Sequence, residues 1–215
     1  MHIARTPAIV KPLAGEFVWD VPTTKKEVFL TFDDGPVPEV TPQVLDILDQ
    51  HGVKATFFCV GENVVRNPDI YAELLSRGHM TGNHTWSHEN GWRTAHLSYI
   101  RSVLRCRELV ESKLFRPPYG RIKRQQADAL RRYFKLIMWD VLAGDWDEAR
   151  SVEQCVDTLL KYTRPGSVVV FHDSVKAKDR VLEILPEYLR FLEVEGYQCS
   201  LLNEENTTKT KKEAS

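Results

Sequence analysis

Two adjacent aspartates, Asp33 and Asp34, stand in the stretch Thr31-Phe32-Asp33-Asp34-Gly35-Pro36. The apolar run Val28-Phe29-Leu30 before them reads as a buried strand. Gly35-Pro36 stops that strand and opens a turn, so a loop can present both carboxylates to a cleft. Side by side they repel, and burying both is costly without compensation, which a cation would supply. The plainer reading is a turn Asp followed by an Asp that caps the next helix. Further on, His84-Thr85-Trp86-Ser87-His88 spaces two histidines at i and i+4, which share one face of a helical turn and can grip one metal ion. Arg116-Pro117-Pro118-Tyr119-Gly120 puts a charge at a strand end stiffened by two prolines. Asp145-Trp146 follows one apolar strand, and His172-Asp173 follows another, Val168-Val169-Val170-Phe171. Each stretch has an ordinary structural explanation when taken singly. Jointly they supply a carboxylate and two histidines, a three-ligand site with open positions as in catalytic metal centres. A second carboxylate, an arginine and another histidine remain for acid–base work.

The elements that must position these residues can be read from the pattern. Strands are expected at residues 28–32, 55–60, 136–141, 168–171 and 197–202, with short extended pieces at 79–83 and 114–116. Between them fall helices. One opens at Thr41-Pro42 and buries Val44, Leu45, Ile47 and Leu48. Others start near Asn67-Pro68, span 97–113, and form a basic helix at 123–134. Ser151 with Gln154 has the spacing of a capping box, and a last helix at 179–195 is expected to break or kink at Pro186. About seven alternations of strand and helix argue for an α/β fold with a parallel sheet, whose strands are apolar on both faces. In such folds functional groups gather at the C-terminal ends of strands, where every stretch above is placed.

The chain has 215 residues, enough for one sizeable domain. Its 29 Lys+Arg and 30 Asp+Glu nearly cancel, so no broad pull towards nucleic acid or an anionic membrane is implied. Cys59, Cys106, Cys155 and Cys199 are widely spread with no CxxC pair, and buried free thiols are expected rather than a disulfide framework. Residues 1–19 carry no apolar h-region, and no run reaches membrane-spanning length. A chain starting naturally at Met1 would be cytoplasmic; one trimmed of a leader would be secreted or in the cell envelope. Residues 1–26 are expected to be irregular, 27–202 to form the catalytic domain, and 203–215 to be a polar disordered tail. A monomer is expected.

The stretches TFDDGP, HTWSH, RPPYG, the Asp145-Trp146 pair and the strand ending in His172 resemble, in order, the motifs of the polysaccharide deacetylases. These are the NodB-type enzymes of carbohydrate esterase family four, and the resemblance covers residues 27–202. It implies a distorted, incomplete (β/α) barrel of about seven parallel strands, in agreement with the pattern above. It implies that Asp34, His84 and His88 bind a divalent metal, Zn2+ or a substitute such as Co2+. Asp33 would be the general base towards the attacking water, held by Arg116 through a charge-assisted hydrogen bond. The backbone N–H of Tyr119 would help to stabilise the oxyanion. His172 would be the general acid for the leaving amine, Asp145 would tune its pKa, Trp146 would line the site, and Val170 would face the acetyl methyl.

Two departures from the family pattern stand out. Its fourth motif, DxxDW, here reads Leu142-Ala143-Gly144-Asp145-Trp146, so the first acid is missing, and Asp140 is the candidate to compensate. Val170 stands where the fifth motif has leucine, which would widen the acetyl pocket slightly. Trp86, Trp92 and Trp146 are candidates to stack on sugar faces, Trp92 having packing against a neighbouring loop as its equal alternative. The implied activity is metal-dependent N-deacetylation of an N-acetylated saccharide, chitooligosaccharide or peptidoglycan-like. The alternatives are the same hydrolase acting on another C–N amide or an O-acetyl ester, and a non-catalytic carbohydrate-binding relative.

Overall fold

The computed structural model describes residues 17–208. Its strands are β1 (Phe17–Val18), β2 (Glu27–Asp33), β3 (Thr56–Cys59), β4 (Met80–Asn83), β5 (Leu114–Phe115), β6 (Lys135–Ile137), β7 (Val141–Leu142), β8 (Val168–His172) and β9 (Gln198–Cys199). The helices are α1 (Thr41–Gln50), α2 (Gly61–Arg66), α3 (Pro68–Ser76), α4 (His96–Arg107), α5 (Arg124–Leu130), α6 (Val152–Tyr162) and α7 (Lys178–Val194). The sheet runs β1-β6-β5-β4-β3-β2-β8-β7, with β9 added to the start of β2. All its ladders among the described residues are parallel. It curls into an open half-barrel with the helices outside, which is the distorted, incomplete (β/α) barrel expected.

Strand alternation explains why the sheet is apolar on both faces yet reactive at one end. Val28, Leu30 and Phe32 of β2 point outward into a cluster with Val44, Leu45 and Leu48 of α1 and Tyr188 and Leu189 of α7. Phe29 points inward, where Phe58, Ile137, Val168 and Leu202 fill the lower barrel. Two and four residues on, the same inward face carries Thr31 and Asp33. The β2–β8 register sets Thr31 beside Val170 and Asp33 beside His172. The interior therefore changes from apolar to polar going up the strands, and the polar end is the C-terminal one.

Several expectations are corrected. The single strand expected at 136–141 is two, because the chain crosses there from one end of the sheet to the other. Met138 N–H donates to Val18 O and Asp140 N–H to Val168 O, so β6 lies beside the edge strand β1 while β7 forms the opposite edge. The helix expected over 97–113 stops at Arg107, where Leu109 and Val110 N–H both turn back to Cys106 O. The basic helix ends at Leu130. Pro186 does not break α7: Ile184, Leu185, Leu189 and Leu192 stay buried along one continuous helix. The short helix α2 has no counterpart in the sequence reading. The strand expected at 197–202 is reduced to Gln198–Cys199.

Of the segment expected to be irregular, residues 1–16 lie outside the described residues, while Phe17–Val18 pairs with β6. Of the expected tail, 209–215 lie outside the described residues, and 203–208 form a turn closed by reciprocal bonds between Asn203 and Asn206. All four cysteines are free; Cys59, Cys106 and Cys155 are buried and Cys199 is half-buried. No helix of the described residues is long and apolar enough to cross a membrane.

Candidate active site

Asp33 ends β2 and points into the barrel, 4% exposed. Arg116 follows β5 and is fully buried. Its Nη1 donates to Asp33 Oδ1 at 2.6 Å and to Thr31 Oγ1 at 2.8 Å, and its Nη2 donates to Met138 O at 3.0 Å. The guanidinium lies over the Phe58 ring, 4.1 Å from its centroid. A charge removed from water in this way is tolerable only because carboxylate, hydroxyl, carbonyl and ring all face it. Replacing it would strand the Asp33 carboxylate, so Arg116→Met is expected to destabilise the fold by about 3–5 kcal/mol, measured by chemical denaturation.

Asp34 leaves the strand in a left-handed conformation, φ 86°. Asn63 of α2 donates to Asp34 O at 2.7 Å, Asn67 to Pro36 O at 3.0 Å, and Val60 N–H to Gly35 O at 3.0 Å. His84 follows β4 and is buried. Its Nδ1 lies 2.8 Å from Arg116 O. A carbonyl only accepts, so Nδ1 carries the proton and Nε2 keeps its lone pair. His88 is not one helical turn from His84. Residues 84–88 are non-helical, with positive φ at Thr85 (67°) and His88 (57°). Asn83 Oδ1 accepts from Thr85 N–H, and Trp86 N–H donates to Ser102 Oγ, which hold that loop. The two imidazoles converge by this loop fold, not by helical spacing. His88 Nδ1 lies 3.1 Å from Tyr119 Oη, and the two rings meet edge to face.

Three ligand atoms of Asp34, His84 and His88 lie within 4.8 Å of one another. Asp34 Oδ1 is 3.6 Å from His84 Nε2 and 3.1 Å from His88 Nε2. Tetrahedral ligands at zinc distances stand about 3.3 Å apart, so these separations bracket that value. Asp34 Oδ1 is also a buried oxygen without a hydrogen-bond donor. A buried anionic oxygen facing the lone pair of His84 Nε2, with His88 Nε2 beside it, fits a divalent cation. Burial opposes ionisation of Asp34, but the imidazoles of His88, His172 and His84 outweigh it and hold the carboxyl well below its usual range. Burial lowers His84 to about 4, so its neutral, ligating form dominates near neutral pH.

His172 ends β8. Its Nδ1 is 2.8 Å from Asp145 Oδ1, and its N–H donates to Asp145 Oδ2 at 2.7 Å. Arg180 of α7 donates to Asp145 O at 2.7 Å, fixing the loop that carries the acid. Burial would lower the His172 pKa, but the charge and hydrogen bond of Asp145, with Asp34 and Asp33 behind, raise it to about 9. The folded value exceeds the ordinary one of about 6.5. The stability this pairing contributes is therefore complete below about pH 6.5 and lost as pH rises through about 9. Asp145→Asn is expected to lower the His172 pKa by about 1–3 units, read by NMR titration of the imidazole.

Asp140 does not stand in for the missing acid of the fourth motif. It lies at the level of Val168, the far end of β8, where Arg164 and Ser167 Oγ engage its carboxylate. Leu142 instead pairs with Val170, so the position beside the site is apolar. Val170 is buried on the inward face, one step below His172. Trp146 meets His172 edge to face at 6.5 Å. Trp86 is held under the Arg105 guanidinium, 3.5 Å from the ring centroid. Trp92 is 59% exposed, yet its Nε1–H donates to Ile122 O and Arg121 lies over its ring, so it is tied to the neighbouring loop.

Sequence reasoning missed Thr31, Asn63, Arg180, the Tyr119 hydroxyl and Asp173. Only Thr31 had a readable signal, since strand alternation puts it on the face of Asp33. Asp173 was seen as a strand-end residue without a task. Burial and the charge of Asp34 raise its pKa to about 8, against the hydrogen bonds from Thr41 and Gly35.

A family model, polysaccharide deacetylase, matches residues 20–133, just over half of the chain. Asp145 and His172 lie beyond that match. A peptidoglycan-N-acetylglucosamine deacetylase of Bacillus cereus is 36% identical over 181 residues, covering 77% of this chain and 66% of the relative. A chitooligosaccharide deacetylase of Azorhizobium caulinodans is 35% identical over 157 residues, covering 69% of this chain and 74% of the relative. The solved structure of the Bc1960 peptidoglycan N-acetylglucosamine deacetylase superposes with a TM-score of 0.83 at 33% identity, over 90% of this chain and 94% of that one. The chain belongs to the polysaccharide deacetylase family, the carbohydrate esterase family four hydrolases that act on carbon–nitrogen bonds.

Proposed function

We propose that residues 27–202 form the catalytic unit of a metal-dependent N-deacetylase for N-acetylglucosamine units of peptidoglycan or chitooligosaccharides. The observation that carries it is the register of β2 against β8. It sets Asp33, held by Arg116, beside His172, held by Asp145, with the Asp34–His84–His88 cluster next to both. A base, an acid and a cation site thus converge on one strand end.

Asp34 Oδ1, His84 Nε2 and His88 Nε2 would hold the ion, zinc or cobalt by the chemistry of two imidazoles and one carboxylate. Bound there, it would supply polarisation of the amide carbonyl and a more acidic water. Asp33 receives the proton from the attacking water. Arg116 occupies its Oδ1, which leaves Oδ2 for that role. His172 has Nδ1 committed to Asp145, so Nε2–H faces the leaving nitrogen. Its raised pKa keeps the ring protonated at neutral pH, as expulsion of an amine requires. Trp146 lines the site beside His172, Val170 faces the acetyl methyl, and the Tyr119 N–H serves the oxyanion.

The test is acetate release from N-acetylglucosamine oligomers and peptidoglycan fragments, metal-free and then with added zinc or cobalt. Metal-restored release is expected, with kcat falling at alkaline pH as His172 deprotonates. Absence of acetate from a metal-loaded protein would overturn the reading. The complete set of base, acid and ligand side chains speaks against a non-catalytic carbohydrate-binding role.

A further inference from the structure

We infer that Asp173, which belongs to neither the cation cluster nor the acid–base pair, is the positioning residue that sets Asp34 as a metal ligand. The inference rests on the metal role proposed for Asp34. The φ of 86° at Asp34 is uncommon for any residue but glycine, and such backbone is energetically costly. It persists only where the surroundings over-determine it. From one side, Asn63, Asn67 and Val60 hold the carbonyls of residues 34–36. From the other side the contacts come from Asp173. Its Oδ1 accepts from Gly35 N–H at 3.1 Å, its Oδ2 accepts from Thr41 Oγ1 at 2.7 Å, and its own N–H donates to Asp33 O at 3.0 Å. Thr41 Oγ1 in turn accepts from Val37 N–H at 2.8 Å.

Asp173 therefore grips the chain before Asp34, after Asp34, and at the start of α1. It is 1% exposed, and both of its carboxylate oxygens are taken by these internal donors. The contact is close enough that a β-carbon on Gly35 would collide with the Asp173 carboxylate. Gly35 is thus the residue that lets Asp173 reach the backbone. With the carboxylate gone, the Asp34–Gly35 peptide keeps the Asn63 bond to its carbonyl but loses the tether on its N–H. Asp34 can then relax towards negative φ, which swings its side chain off the two imidazoles.

The experiment is calorimetric titration of zinc into metal-free wild type, Asp173→Ala, Asp173→Asn and Thr41→Val, with the unfolding temperature of each metal-free protein. Asp173→Ala is expected to bind zinc about 10–100-fold more weakly, the usual cost of losing an outer partner of a metal site. Asp173→Asn is expected to bind close to wild type, because its oxygen still accepts from Gly35 and its amide reaches Thr41 Oγ1. Thr41→Val, which removes one tether, should fall between them. Wild-type zinc affinity in Asp173→Ala, even with a lowered unfolding temperature, would overturn the inference and leave the proposed function standing. If Asp173→Ala does not fold, unchanged affinity in Thr41→Val overturns it. A wild type that binds neither zinc nor, in a parallel titration, cobalt would overturn both.

Discussion

Asp33→Asn is expected to bind metal as the wild type does and to lose kcat by about 10²–10⁴-fold, the contribution of a general base. The amide is the same size as the carboxylate, and its oxygen can still accept from Arg116 Nη1, so the strand end keeps its shape. What it cannot do is receive a proton. The exchange also leaves the fully buried Arg116 without its counter-charge, so a loss of stability accompanies the loss of rate. Measuring kcat and metal stoichiometry on the same sample separates the two effects. Normal turnover in this variant would falsify the assignment of Asp33 as base.

The second large effect is expected at His84. His84→Ala removes a buried imidazole whose Nε2 faces Asp34 and whose Nδ1 is pinned to Arg116 O. With only Asp34 and His88 left, metal affinity should fall by more than the roughly 10–100-fold typical of outer partners, and turnover should fall with it. The variant should also lose the rise in unfolding temperature that added zinc gives the wild type, since a ligand stabilises only the state that binds it. Metal-dependent stabilisation of His84→Ala equal to that of wild type would exclude His84 as a ligand. The contrast between the variants is diagnostic: Asp33→Asn parts metal from turnover, His84→Ala loses both.

The elements most visible in the sequence were those with continuous apolar runs. β2, β3 and β8 bury both faces, so their patterns stood out, and the Asp33, Asp34 and His172 ends were located with them. Elements of two or three residues were blurred. The 136–141 strand looked single because Leu136, Ile137, Met138 and Val141 are all apolar; its split depends on acceptors in β1 and β8, far away in sequence. α2 was invisible because six residues starting with glycine carry almost no helical signal. The His84–His88 spacing pointed to the right pair for the wrong reason, since the turn is made by side-chain bonds from Asn83 and Ser102 and not by a helix.

By itself the sequence determined which chemical groups the protein owns and that all of them fall at strand ends. Strand periodicity and composition are local properties, and they suffice for the α/β class, for the placement of Asp33 and Asp34 at a strand end, and for the inventory of carboxylates and imidazoles. Only the tertiary structure decided their partners. Arg116 pairs with Asp33 across 83 positions, Asp145 with His172 across 27, and Asp173 reaches Gly35 across 138. It also decided that Asp140 belongs to an ion pair at the opposite end of the barrel. Hydrogen bonds between side chains depend on sheet order and register, and those follow from how nine short strands pack together rather than from the residues of any one of them.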